Sequence, residues 1–155
     1  MKIENIVNKL IKNKETISTM ESCTGGLLAS TITDVEGSSE IIKFSAVTYS
    51  NSFKIKMGVD EQVINKYSVY RIETAHEMAK NIQNFSSSTY GVGITGKINK
   101  QDINNTRGND NEVFISIIKD DKYYDMSILC PIESRHNVKK YIVNEVIELL
   151  DKIIE

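Results

Sequence analysis

The segment Glu21-Ser22-Cys23-Thr24-Gly25-Gly26 joins an apolar, β-branched run, Thr16 to Met20, to the helix-like stretch Leu27 to Ile32. A hydroxyl at a strand-to-helix junction sits beside free backbone N–H groups and the positive end of a helix dipole, which suits a nucleophile or an anion. Paired glycines let a ligand approach the main chain closely. The same residues also fit plainer roles, with Ser22 or Thr24 as a helix N-cap and Gly25-Gly26 as turn residues. The segment lacks the Gly-Lys-Ser/Thr ending of a phosphate-binding P-loop and is not a dinucleotide fingerprint.

A nucleophilic Ser22 needs a proton acceptor. His76 and His136 lie in other segments without a matching Asp context, whereas Tyr49-Ser50-Asn51-Ser52-Phe53-Lys54 places a phenol and an amine across a second strand-to-helix junction. A lysine can serve as base when burial or a neighbouring positive charge favours its neutral amine. Tyr49 could relay the proton or orient Lys54, and N–H groups near Cys23 to Gly26 are natural oxyanion donors. Together these describe acyl transfer at an amide or ester, with no metal and no cofactor. Cys23 is a rival nucleophile, because a helix N-terminus lowers a thiol pKa. Arg135 and His136, at the start of the final helix, could meet a phosphate or a carboxylate. Each residue also has an ordinary alternative: a solvated helix lysine, a half-buried strand aromatic, a surface Arg-His pair.

Elements must bring these segments together. Ile3, Ile6, Val7, Leu10 and Ile11 recur at helical spacing, followed by a strand over Glu15 to Met20 and a helix over Thr24 to Asp34. A strand over Ile41 to Tyr49 leads to short helices over Ser52 to Met57 and from Asp60 to Tyr67, then a longer one over Ile72 to Phe85. A strand over Thr89 to Ile94 opens a long polar loop at Thr95-Gly96. Beyond Asn111, two strands, Val113 to Ile118 and Tyr123 to Leu129, flank a hairpin turn, and the last helix starts at Ser134. This order predicts an α/β fold, a three-layer α/β/α sandwich with a mixed, mostly parallel sheet. Parallel strands would bring Ser22, Tyr49 and Thr95-Gly96 to one edge, where open α/β sheets bind ligands. Long loops such as 97–111 are often functional.

The chain has 155 residues and a net charge of −2, enough for one domain with a real core and without the basic footprint of a nucleic-acid binder. The mildly basic run from Lys97 to Arg107 reads as a solvated loop. Two cysteines, Cys23 and Cys130, are too few for a disulfide scaffold or zinc cluster. Nothing resembles a signal peptide or a membrane span, so the expectation is a cytoplasmic protein with no nucleic-acid or membrane partner.

Glu21 to Gly26, Thr33-Asp34-Val35-Glu36-Gly37-Ser38-Ser39 and Val47-Thr48-Tyr49-Ser50-Asn51 with Lys54 together resemble the CinA C-terminal domain family, which includes stand-alone nicotinamide-nucleotide amidases. The similarity continues through Met57-Gly58-Val59, Glu73 to Met78, Thr95-Gly96 and Arg135. It implies one domain over residues 1–155, without the extra N-terminal domain of two-domain relatives. It also implies hydrolysis of the carboxamide of nicotinamide mononucleotide to nicotinate mononucleotide and ammonia. Ser22 matches the family's nucleophile, and Tyr49 and Lys54 match its helpers. Cys23, Thr24, Gly25, Gly26, Asn51, Thr95, Gly96 and Arg135 match positions around the substrate. The partner implied is a small-molecule amide, with a homodimer as the expected assembly. The chain departs from the family where Thr-Gly-Ile-Ala-Gly-Pro reads Thr95-Gly96-Lys97-Ile98-Asn99-Lys100, and where a serine is replaced by Tyr70. These departures touch the wall of the expected site. They leave room for a hydrolase of another small amide, or for a nucleotide- or partner-binding module without turnover.

Overall fold

The computed structural model describes residues 1–99 and 109–155. Helix α1 (Lys2–Asn13) is followed by β1 (Ile17–Glu21), α2 (Leu27–Thr33), a 3-10 turn at Ser38–Glu40 and β2 (Ile42–Val47). Helices α3 (Asn51–Lys56), α4 (Glu61–Tyr67) and α5 (Ile72–Ser86) lead to β3 (Tyr90–Gly96), β4 (Glu112–Lys119), β5 (Lys122–Leu129) and α6 (Arg135–Ile153). The strands form one sheet in the order β2-β1-β3-β4-β5. β1 pairs in parallel with β2 and β3, while β3–β4 and β4–β5 are antiparallel, so only β4 opposes the common direction. The α/β sandwich with a mixed sheet is the architecture predicted by the alternation of elements.

Alternation along β1 divides the core. Ile17 packs with α1, α2 and α6, whose Ile6, Val7, Leu10, Leu28, Ile142 and Val146 form the larger apolar cluster. Met20 faces the other way, into a smaller cluster with Val59, Ile64, Met78 and Ile82. β3 repeats the pattern with a difference. Tyr90, Val92 and Ile94 enter the larger cluster, but Gly91 and Gly93 face α5. A Cβ on either glycine would lie 2.3 Å from a helix carbonyl, that of Ala79 or Ala75. Helix α5 therefore rests directly on the β3 backbone, a contact that tolerates no side chain there.

Several boundaries differ from the sequence expectation by a few residues, and two of them bear on the site. β3 runs on through Thr95-Gly96, because both residues pair with β4, Thr95 with Phe114 and Gly96 with Val113. Helix α2 starts at Leu27 rather than Thr24, because Ser22 to Gly26 forms a turn of its own. The expected loop over 97–111 falls largely on 100–108, outside the described residues. No helix among the described residues is long and apolar enough to cross a membrane.

The close α5–β3 contact makes a specific prediction. Gly93→Ala should lower stability by about 1–3 kcal/mol through overpacking, read as a lower denaturant midpoint with an unchanged m-value.

Candidate active site

Parallel register aligns the ends of three strands: Glu21 lies opposite Val47 on one side and Ile94 on the other. The ladder continues one residue further, with the Ser22 amide donating to the Ile94 carbonyl at 3.1 Å and the Thr48 amide to the Glu21 carbonyl at 2.8 Å. Ser22, Thr48-Tyr49 and Thr95-Gly96 thus meet at one edge of the sheet.

After Ser22 the chain turns tightly, the Gly25 amide returning to the Ser22 carbonyl at 3.0 Å. Gly25 and Gly26 both have positive φ, +61° and +95°, which side-chain-bearing residues rarely adopt. Neither Ser22 nor Thr24 caps α2, contrary to that sequence expectation. The cap position is Gly26, and the amides of Leu28 and Ala29 donate instead to the Glu21 carboxylate at 3.0 and 2.9 Å. The Thr24 hydroxyl adds a third bond to Glu21 at 2.7 Å, and the Thr19 hydroxyl lies 3.2 Å from its other oxygen. Among the described residues, the amides of Thr24 and Gly26 have no acceptor.

Lys54 reaches Ser22 from the second junction. Ser50 caps α3 by accepting from the Phe53 amide, and Asn51 opens the helix. The first turn then carries Lys54 inward to 1% exposure, far from the solvated position common for a helix lysine. Its Nζ lies 2.9 Å from Ser22 Oγ, 2.6 Å from the Thr48 carbonyl and 3.5 Å from the Tyr49 carbonyl. Carbonyls can only accept, so those two contacts take N–H bonds, whereas a hydroxyl can either accept or donate. Of these three contacts, the Ser22–Lys54 bond is the one whose direction can reverse.

A residue-by-residue comparison separates the expected site residues. The Tyr49 side chain is 61% exposed, and its hydroxyl accepts from Arg135 Nη2 at 3.0 Å. Arg135 also donates to the Ile98 carbonyl at 2.9 Å. Tyr49 and Arg135 therefore form a rim, with Tyr49 meeting Lys54 through its backbone carbonyl. The Thr95 hydroxyl donates to the Val69 carbonyl, and Gly96 faces the backbone of Glu112 and Val113, so these residues build the wall. Cys23 points into the larger core cluster, and burial pushes its thiol up to about 12, opposite to the shift expected at a helix start. It has no standing as a thiolate nucleophile. Among the described residues, no cluster of His, Cys, Asp and Glu is arranged to hold a metal ion.

A family profile described as the CinA C-terminal domain matches residues 2–154. The chain belongs to the CinA C-terminal domain family. A CinA-like protein of Flavobacterium psychrophilum is 42% identical over 119 residues, 74% of this chain and 28% of that protein. One from Desulforapulum autotrophicum is 47% identical over 88 residues, 56% of this chain and 21% of the relative. The chain thus spans well under a third of the length of these curated relatives. A competence-damaged protein (CinA) superfamily structure from Klebsiella pneumoniae superposes with a TM-score of 0.91 at 17% identity, covering 99% of this chain and 95% of that one. The competence/damage inducible protein CihA from Agrobacterium tumefaciens gives 0.82 at 23% identity, over 97% and 94%. At such identities the structural likeness establishes the shared CinA fold.

Residue-level reading of the CinA motif missed Glu21, although an acid directly before a glycine-rich helix start is a recognisable anchor for helix amides. It also missed the pairing of the chain's two departures. Lys97, 2% exposed, holds its Nζ 4.9 Å above the Tyr70 ring, a cation–π contact between two buried residues on the wall.

Two predictions concern this turn. Glu21→Ala should cost about 2–4 kcal/mol in denaturant unfolding, because it strands helix amides and a buried hydroxyl together. Burial also pushes Cys130 up to about 11, so both thiols stay protonated in the folded chain at pH 8. Iodoacetamide at that pH should modify them in urea but not in the native protein. With folded pKa values above an unfolded value of about 8.5, the contribution of the thiols to stability is present below that pH and lost as pH rises towards 11 and 12.

Proposed function

We propose that this protein hydrolyses the carboxamide of nicotinamide mononucleotide, releasing ammonia and nicotinate mononucleotide, with Ser22 as nucleophile and Lys54 as general base. The observation that carries this is the buried 2.9 Å contact between Lys54 Nζ and Ser22 Oγ. A lysine held out of water bears a desolvation cost when charged, which favours the free amine a base needs. As that amine, Lys54 keeps its N–H bonds to the Thr48 and Tyr49 carbonyls and aims its lone pair at Ser22.

The chemistry then runs in two halves. Lys54 takes the Ser22 proton as Oγ adds to the carboxamide carbon, and the developing oxyanion is met by turn amides such as those of Thr24 and Gly26. Collapse breaks the C–N bond, Lys54 returns the proton to the leaving nitrogen, and ammonia departs from an acyl ester on Ser22. Water adds to that ester as Lys54 accepts its proton. The ester C–O bond then breaks as Lys54 returns that proton to Ser22 Oγ, and the product acid gives its own proton to water and leaves as the carboxylate. Tyr49 and Arg135 form the rim through which the substrate enters, and Asn51 lies at the start of the helix that carries the base. The choice of nicotinamide mononucleotide rests on the family resemblance, and the Ser–Lys pair supports amide hydrolysis as the reaction class.

A second reading, hydrolysis of a different small amide, is favoured by one observation: Tyr70 and the buried cation Lys97 pair on the wall where the family pattern has a serine and an isoleucine.

Ammonia release from nicotinamide mononucleotide by the purified chain tests the proposal. Ser22→Ala and Lys54→Met should each lose about a thousand-fold or more in kcat while remaining folded, and the double variant should be no worse than either. Undiminished turnover in Ser22→Ala would sink the mechanism. Turnover of other primary amides with no activity on this nucleotide would select the second reading.

A further inference from the structure

Beside the Ser22–Lys54 pair lies a buried hydroxyl that the fold does not use. Among the described residues, four buried side-chain polar atoms lack a hydrogen bond, one each on Thr48, Glu73, Tyr90 and Asn99. For three of them a neighbour is close. Arg71 Nε lies 4.0 Å from Glu73 Oε2, Lys119 Nζ lies over the Tyr90 ring, and the Asn99 side chain already donates to the Glu133 carbonyl. Thr48 Oγ1 has no such neighbour, although the residue is 1% exposed. A buried hydroxyl without a bond destabilises a fold, and a valine of the same shape would avoid that cost.

The place of Thr48 in the sheet gives that hydroxyl a use. Met20 lies opposite Ala46, so two residues further along the same ladder Ser22 lies beside Thr48. Residues two apart on a strand share a face, which puts both hydroxyls on the side of the smaller cluster that holds Met20 and Ala46. Val47, one residue earlier, packs towards Gly26 on the other face. Neighbouring strands run about 4.7–4.9 Å apart, a gap that one nitrogen or oxygen atom bridges. The main chain of Thr48 is already engaged, its amide with Glu21 and its carbonyl with Lys54 Nζ at 2.6 Å. Thr95, on the far side of Ser22, gives its hydroxyl to the Val69 carbonyl. In this row of three hydroxyls Ser22 meets Lys54, Thr95 is bonded to the wall, and Thr48 Oγ1 is left for a reacting group.

We propose that Thr48 is a further catalytic residue, whose hydroxyl accepts an N–H of the departing carboxamide nitrogen and then binds the water that replaces it. Nitrogen and water occupy one position, because Lys54 protonates the first and later deprotonates the second on the same side of the acyl carbon. In the second half the water O–H bond breaks as its oxygen joins the acyl carbon, and Lys54 takes the proton. Lys54 then returns that proton to Ser22 Oγ as the ester C–O bond breaks. Thr48 Oγ1 holds the water in line for this addition. The role rests on the Ser22–Lys54 mechanism, whichever primary amide is the substrate.

Acylation of the full chain by p-nitrophenyl acetate separates the two halves of the reaction. Nitrophenolate release reports acylation, and mass spectrometry of the Ser22 peptide reports the acetyl-enzyme. Thr48→Val should acylate at close to the wild-type rate and lengthen the lifetime of acetyl-Ser22 by about 10- to 100-fold, the effect of one buried hydrogen bond lost in the transition state. Thr48→Ser should restore the wild-type lifetime. The denaturant midpoint of Thr48→Val should equal or exceed that of the wild type, because the native hydroxyl bonds to none of the described residues. On nicotinamide mononucleotide the same variant should lower kcat with little change in KM. An unchanged acetyl-Ser22 lifetime would overturn the role of Thr48 while leaving the serine mechanism standing. A longer lifetime that Thr48→Ser fails to restore, or a lowered midpoint, would mark a packing role and overturn it too. A Thr48-dependent lifetime in a chain inactive on the nucleotide would uphold the role and reject that substrate. A wild type never acetylated on Ser22 would reject the serine mechanism and the role of Thr48 with it.

Discussion

The Glu21 carboxylate is the constraint on which the rest of the site depends. A buried anion without hydrogen bonds would cost several kcal/mol, and the chain satisfies it by folding the next eight residues around it. The Thr24 hydroxyl and the amides of Leu28 and Ala29 can reach one side chain only if the main chain reverses between Ser22 and Gly26. That reversal requires two successive residues with positive φ, and glycines occupy both. A single acid thus stands in for the missing hydroxyl cap of α2. It also fixes the turn that displays Ser22.

Lys54 reaches this turn by a different route. Lys54 lies on a helix of six residues, too short to persist without tertiary support, so its position is set by what flanks it. The Ser50 cap fixes the first turn, and the Thr48 carbonyl, presented at the end of β2, holds the amine. β2 is in turn held to β1 by the register that sets Glu21 opposite Val47. Ser22 and Lys54 therefore depend on one parallel ladder, so a slip of one residue in that pairing would separate them. Close seating of α5 on Gly91 and Gly93 supports the same ladder from the opposite face.

Two kinds of electrostatic work are divided between the faces of this small turn. The acid is sealed into the layer beneath α2, while the amine of Lys54 meets the Ser22 hydroxyl at the exit of the turn. The Lys97–Tyr70 pair adds a local variation on the CinA framework. A bulky aromatic and a buried cation occur together on the wall, in cation–π contact with each other.

The order of elements, the amphipathic stripes of α1 and α6 and the hairpin at 119–122 were legible in the sequence, because hydrophobic period and turn chemistry are local. So was the candidate pair itself, since a serine before Gly-Gly and a lysine one turn into a helix are recognisable by type and spacing. The sequence by itself determined the α/β class, the CinA family and the residue types available for acyl transfer. Only the tertiary structure decided that Lys54 is buried against Ser22, that the Tyr49 hydroxyl turns to Arg135 and that Cys23 enters the core. It alone revealed Glu21 as the cap. Those outcomes depend on strand register and on which side of a turn faces the core. Long-range packing sets both, and no local pattern of residues encodes them.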